Sequence, residues 1–227
     1  MATKKRSYGD ACGIARALDT VGERWALMVV RELLLGPKRF TDLRTGLPHV
    51  SPDVLAQRLR ELDAAGVLRK RKLPPPAASQ VYELTPKGLA LEPVLISLGR
   101  WGGSEATPPT EEMDMSVDAH LLSLRTLFDP EAAGDLKLTV AMALDDQSFF
   151  ATVAGAALVA ERGEAPAPDV TITGPRASLI ELVRGMRDLD ELLDAGDLTL
   201  KGDRQRFERF IELFPLPDPA AEPALAG

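Results

Sequence analysis

Cysteine, histidine and aromatic residues are scarce in this chain of 227 residues: Cys12 is the single cysteine, His49 and His120 are the two histidines, and aromatics make up 5%. One cysteine excludes an internal disulfide and any zinc cluster built from cysteines. With two histidines besides, a metal site would have to rest on carboxylates, so no cofactor is expected. No apolar run approaches the ~20 residues of a membrane span. The opening "MATKKRSYGD" lacks the apolar core of a secretory signal. No membrane partner is therefore expected, and a cytoplasmic location is the simplest expectation. Catalytic signatures are missing as well, since there is no G-x-S-x-G elbow, no phosphate-cradling glycine loop and no His-rich metal motif. The carboxylates of Asp145–Asp146 and of "RDLDELLDAGD" are accounted for by a turn and by solvated helix faces. The expectation is a protein that is not an enzyme.

Apolar residues supply 45% of the chain, enough for a core, and the length suits two domains. Charge divides between them. Residues 1–105 hold 17 Lys and Arg against 11 Asp and Glu, whereas residues 106–227 hold 10 against 23. A basic half joined to an acidic half marks the first as the one facing a polyanion, unless its cations form only a solvated face. The polar, proline-bearing "GGSEATPPTEE" interrupts the apolar periodicity. The expected organisation is a domain at 1–105, a linker at 106–112, a second domain at 113–214 and a frayed Pro- and Ala-rich tail at 215–227.

In the first half, "IARALDTV" spaces Ile14, Ala15, Leu18 and Val21 for a helix, and "RWALMVVRELLLG" predicts a strongly apolar helix stopped at Gly36. "RFTDLRTGL" predicts a short helix begun near Thr41. "SPDVLAQRLRELDAAG" is the most legible segment: Ser51 suits the N-cap, Pro52 the first helical position, Asp53 the positive end of the dipole and Gly66 a left-handed stop. Leu55, Leu59 and Leu62 form its buried stripe. At about 100° per residue, Gln57 and Arg60 point away from that stripe, with Arg58 on the flank. Two strand-like runs follow, "VLRKRK" and "QVYELT", joined by a proline-rich tip. Helix, turn, helix and basic hairpin in this order predict a winged helix-turn-helix, mainly α with a β-hairpin wing, and a double-stranded DNA partner. Ser51, Gln57, Arg58 and Arg60 are the candidate base readers. Lys38, Arg39, Arg69, Lys70, Arg71 and Lys72 are the candidate backbone and wing contacts. Basic edge strands also serve to prevent aggregation, which is the competing explanation for the wing cations.

Residues 11–102 resemble the HxlR family of bacterial winged-helix transcriptional regulators, through Cys12, "ERWALMVVREL", "GPKRFTDL", "SPDVLAQRLRELDAAGVL" and "YELTPKGLAL" followed by a tryptophan. The resemblance implies a homodimer on a pseudo-palindromic operator, with dimer contacts from the terminal helices. Apart from the family, "PKGLALEPVLISLGRW" carries Leu89, Leu91, Leu95, Leu98 and Trp101 on a helix expected to bend at Pro93. That much apolar surface needs cover from a second copy or from the second domain. Cys12 matches a cysteine through which some members of the family sense oxidants or electrophiles. It is a candidate redox thiol, or else a small core hydrophobe.

The second half predicts an α+β domain. Leu136, Leu138, Val140, Met142 and Leu144 alternate, Asp145–Asp146 suits a turn, and "SFFATVAG", "ALVAERG", "DVTITG" and "DLTLKGD" read as further strands. "PRASLIELVRGM" reads as a helix opened by Pro175, and Phe207, Phe210, Ile211 and Phe214 line a final helix. The segment from Asp169 to Phe214 is similar to the end of the sterol carrier protein family, which implies a five-stranded sheet with helices, often around an apolar tunnel. Leu138, Val140, Phe150, Leu179 and Val183 are the candidate lining for an apolar small-molecule effector. Two functions fit: a transcriptional regulator whose second domain senses such a molecule or supports dimerisation, and a carrier whose winged helix serves protein contacts.

Overall fold

The computed structural model describes residues 7–76, 78–103 and 116–215. The chain divides into two compact units, Met1–Leu95 and Ile96–Gly227. The stretch expected as linker, and the expected tail beyond Pro215, lie outside the described residues.

The first unit opens with α1 (Gly13–Val21), α2 (Ala26–Leu33), α3 (Phe40–Gly46) and α4 (Pro52–Ala64). Strands β1 (Leu68–Lys72) and β2 (Gln80–Leu84) then form an antiparallel hairpin, followed by α5 (Pro86–Leu89) and α6 (Glu92–Gly103), the last running on past the unit's end. Val29, Val30 and Leu33 of α2 meet Leu43 of α3, Leu55, Leu59 and Leu62 of α4, and Leu68 of β1 in one core. Helix α4 is bounded as its residues require. The Ser51 hydroxyl accepts from the Val54 N–H, Pro52 sits at the start, and Gly66 at φ +70° lets the Gly66 and Val67 N–H groups donate to the Asp63 and Leu62 carbonyls. Thr85 then ties the far end of the wing to this stop, donating to the Gly66 and Val67 carbonyls and capping the Gly88 N–H. A Cβ on Gly88 would lie 2.1 Å from the Val67 carbonyl oxygen, so the close approach requires glycine there.

Several expectations shift. Helix α2 begins only at Ala26, because Trp25 takes a left-handed φ of 77° and blocks continuation from the preceding turn. The break in the terminal helix falls at Ala90–Leu91 rather than at Pro93, which occupies the first turn of α6, where its missing N–H costs nothing. The apolar residues of α1 split between two faces: Ala15 and Val21 are buried, whereas Ile14 and Leu18 are exposed.

The first unit also buries a charge cluster. Glu32 on α2 is fully buried, its Oε1 accepting from Arg31 at 2.9 and 3.2 Å and its Oε2 accepting from Lys38 Nζ at 2.5 Å. The Lys38 backbone exchanges both hydrogen bonds with Tyr82, pinning the segment before α3 to the wing. Gly46 closes the other side, since a Cβ there would lie 2.2 Å from Glu32 Oε2.

The second unit holds α7 (Val117–Leu127), α8 (Pro130–Ala133), β3 (Lys137–Leu144), β4 (Gln147–Ala154), β5 (Ala157–Arg162), β6 (Val170–Gly174), α9 (Arg176–Val183), α10 (Leu189–Asp194), β7 (Thr199–Gly202) and α11 (Arg204–Ile211). Its five strands lie in the order β5-β4-β3-β6-β7, antiparallel except for β3 beside β6. Leu138, Val140, Met142 and Leu144 of β3, Phe149, Ala151 and Val153 of β4, and Val170 and Ile172 of β6 are buried, together with Phe207 and Phe210 of α11. Helix α7 stands outside the elements expected from the sequence, although Ser116 caps it and Val117, Leu121 and Leu124 recur at i, i+4, i+7.

Removing the Glu32 carboxylate takes from the buried Lys38 ammonium the acceptor 2.5 Å away. Glu32→Ala is expected to lower the stability of the first unit by about 3–5 kcal/mol, while the joint change Glu32→Leu with Lys38→Met recovers most of the loss. Urea unfolding of the full chain measures both. A loss below about 1 kcal/mol for Glu32→Ala, within the range of an exposed pair, would contradict the role given to the cluster.

Candidate nucleic-acid interface

Helix α4 buries Leu55, Leu59 and Leu62, so its opposite face carries Asp53, Val54, Gln57 and Arg60, all exposed. Gln57 Nε2 donates to Glu61 Oε1 at 2.9 Å across one helical turn. Ser51 is exposed at the helix start with its hydroxyl engaged in the cap. Arg58 does not join this face. Its side chain is 11% exposed and its guanidinium is spent on Glu61 Oε2 and, at 3.7 Å, on Glu23. The flank position read from the helical wheel is covered by neighbouring chain, so Arg58 supports α4 from behind instead of presenting to a groove.

The wing pairs Arg69 with Glu83, Lys70 with Tyr82, Arg71 with Val81 and Lys72 with Gln80. Alternation therefore sets the arginines and the lysines on opposite faces. Lys70 lies over the Tyr82 ring, 5.7 Å from its centre, and Lys72 is exposed. Arg69 and Arg71 both donate to Glu83, at 2.6 and 2.7 Å. Burial pushes the Glu83 carboxyl up, but the two guanidinium hydrogen bonds outweigh it and hold it below the usual carboxylate range. Arg39 is exposed at the head of α3, where its backbone N–H donates to Asp42 at 3.0 Å. Lys38 is not a surface cation: its side chain is 7% exposed and its ammonium is committed to Glu32, so the expectation that it meets a phosphate is corrected.

The remaining candidates separate. Cys12 is exposed at the N-cap of α1, with its N–H donating to Asp10, so it is not a core hydrophobe. In the second unit Leu138, Val140 and Leu179 are buried, but Phe150 pairs with Ala141 on the other face of the sheet and is only half-buried. Phe149 takes the inward place. Val183 is likewise half-buried, and α9 buries Leu182 instead. The shift from Phe150 to Phe149 arises because the turn at Asp145–Asp146 fixes the β3–β4 register.

Sequence reasoning missed Glu61, Glu83 and the exposed Val54. Glu61 stands at i+4 from Gln57, a spacing that signals a side-chain pair on a helix. Glu83 meets two arginines 12 and 14 residues away only through the hairpin register, which the residues alone do not declare.

Because the folded-state pKa of Glu83 is depressed, its ion pairs stabilise the wing fully above the ordinary carboxylate range, and that contribution is lost as pH falls through the lowered value. An acid titration of the full chain followed by hydrogen exchange at the β1 and β2 amides should show wing protection falling below that range. Glu83→Gln should lack the step. An unchanged acid profile in Glu83→Gln would show that the two arginines do not hold the hairpin through this carboxylate.

Two family models match the chain: HxlR-like helix-turn-helix over residues 20–109, and alkyl sulfatase C-terminal over residues 106–221. The chain is 37% identical over 86 residues to the HTH-type transcriptional regulator YvaP of Bacillus subtilis, covering 38% of this chain and 80% of that protein. It is 33% identical over 92 residues to the HTH-type transcriptional regulator YodB of the same organism, covering 40% and 82%. Among solved structures, quinone-bound YodB matches at 30% identity over 39% of this chain and 93% of that one, with a TM-score of 0.35. The inverting sec-alkylsulfatase Pisa1 from Pseudomonas sp. matches at 20% identity, with a TM-score of 0.44, over 51% of this chain and 20% of that enzyme. For the second half, the family model that matches is alkyl sulfatase C-terminal, and the resemblance to sterol carrier proteins stays an expectation. The chain belongs to the HxlR-like helix-turn-helix family of transcriptional regulators and carries, after that region, an alkyl sulfatase C-terminal domain.

Proposed function

We propose that this protein is a cytoplasmic transcriptional repressor that binds a pseudo-palindromic DNA operator as a homodimer and does not catalyse a reaction. The observation that carries the reading is the exposed Gln57–Arg60 face of α4, held over a buried leucine stripe beside a wing with four consecutive cations. In this reading α4 enters the major groove, Gln57 and Arg60 meet base edges, and Arg39, Arg69, Lys70, Arg71 and Lys72 meet phosphates. Salt-dependent DNA binding separates this from the carrier alternative, which requires none.

The dimer rests on exposed apolar surface. Ile14 is 72% exposed on α1 and Trp101 65% on α6, with Leu18, Val94 and Leu98 exposed beside them in sequence, and α6 buries no residue. So much apolar area on two terminal helices suits a second copy, and two-fold proteins suit two-fold sites. The second unit is read as a sterol-carrier-like α+β domain that senses an apolar small molecule, with Leu138, Val140 and Leu179 as the lining retained from the sequence. Such an effector acts by binding the DNA-competent and DNA-released states with different affinity.

Arg60→Ala is expected to cost about 1–3 kcal/mol on the selected operator and little on random DNA. Lys72→Ala should weaken both and reduce the slope of log K against log salt by roughly one. Fluorescence anisotropy of full-length protein on the two duplexes across a salt series measures this. Equal losses on both duplexes for Arg60→Ala would remove it as a base reader.

A further inference from the structure

We propose that Glu61 is a positioning residue that makes Gln57 select adenine over guanine, an inference that rests on the reading of α4 as the groove-facing helix. Glu61 uses both carboxylate oxygens. Oε2 is held from behind by the largely buried Arg58, and Oε1 accepts from Gln57 at 2.9 Å. An ionised carboxylate only accepts hydrogen bonds, so the group Gln57 turns toward it must be the amide nitrogen. The orientation of the amide is thereby fixed by chemistry.

What remains free on Gln57 is the carbonyl oxygen and the second N–H. Adenine offers the complement in the major groove, an N6 donor beside the N7 acceptor, whereas guanine offers acceptors at both O6 and N7. A Gln57 held by Glu61 can take the adenine edge with both groups. Against guanine its carbonyl oxygen faces O6, acceptor against acceptor. Were both amide N–H groups free, the nitrogen alone could donate to O6 and N7 together, and discrimination would fall. Arg58, which reads as a base contact on a helical wheel, acts instead as the anchor of this relay: Arg58 holds Glu61, and Glu61 orients Gln57. The geometry thus uses a repulsive element to set specificity as well as an attractive one.

The test is selection of binding sites by the full-length protein from randomised duplexes, run with the native chain, Gln57→Ala, Glu61→Gln and Glu61→Asp. The native chain is expected to enrich adenine at one position of each half-site, with guanine there weakening binding about tenfold or more. Gln57→Ala should erase the preference at that position. Glu61→Gln, whose amide can accept or donate, should lower the adenine-to-guanine ratio there by about tenfold and leave the other positions unchanged. Glu61→Asp keeps a charge for Arg58 but withdraws it from Gln57, and should relax the same position even if Glu61→Gln folds poorly. Loss of the preference in Gln57→Ala with full retention in both Glu61 variants overturns the positioning role while leaving Gln57 a reader. A Gln57→Ala profile unchanged at every position overturns the reading of Gln57 as well.

Discussion

The buried Glu32 carboxylate is the constraint on which the first unit depends. It lies at the end of an apolar helix, out of water, and a buried charge is tolerated only when paired and hydrogen-bonded. Arg31 covers one oxygen and Lys38 the other. To reach it, the segment before α3 must run past α2, and its backbone is then free to bridge Tyr82 of the wing. Gly46, lacking a Cβ, lets the end of α3 close over the same carboxylate. Helix α2, helix α3 and the hairpin are thus fixed relative to one another by one acid, and α4 packs on the frame through its leucines.

On that frame the charges sort into two classes. Lys38 is spent on the buried Glu32, Arg58 on Glu61 and Glu23, and Arg69 and Arg71 share Glu83, so among the candidate contacts the cations least committed are Arg39, Arg60, Lys70 and Lys72. A count of basic residues overstates the field that this half of the chain presents to a polyanion. The acidic half adds the opposite sign: residues 106–227 hold 23 Asp and Glu against 10 Lys and Arg. Some of those carboxylates are paired within the fold, as where the exposed Asp169 accepts from the Thr139 backbone and from Arg206 and is held below its usual pKa. On the proposed function, a net negative second unit disfavours indiscriminate attachment to DNA.

Much of the architecture was legible because local signals agreed with tertiary need. Ser51, Pro52 and Gly66 bracket α4, the leucine spacing sets its buried face, and strict alternation in β3 declares both its strand character and its inward side. What escaped was decided by residues distant in sequence. Whether Lys38 faces solvent depends on the buried Glu32, and Arg58 is covered where α4 packs, with Glu23 reached from far along the chain; a basic residue carries no local mark of either. Phe150 and Phe149 are neighbours of equal hydrophobicity, so only the pairing Ala141–Phe150 tells which is turned away from the core. Trp25 begins α2 in a left-handed conformation that no propensity scale assigns to tryptophan.

On the proposed function, α4 and the wing form a sequence-specific DNA reader acting in two-fold pairs. Hydroxyl-radical footprinting of the full-length protein on a duplex recovered by selection tests it most directly. Two protected half-sites related by two-fold symmetry and centred about one helical turn apart are expected, with protection lost steeply as salt rises. Protection of a single half-site, or binding that is indifferent to both sequence and salt, would contradict it.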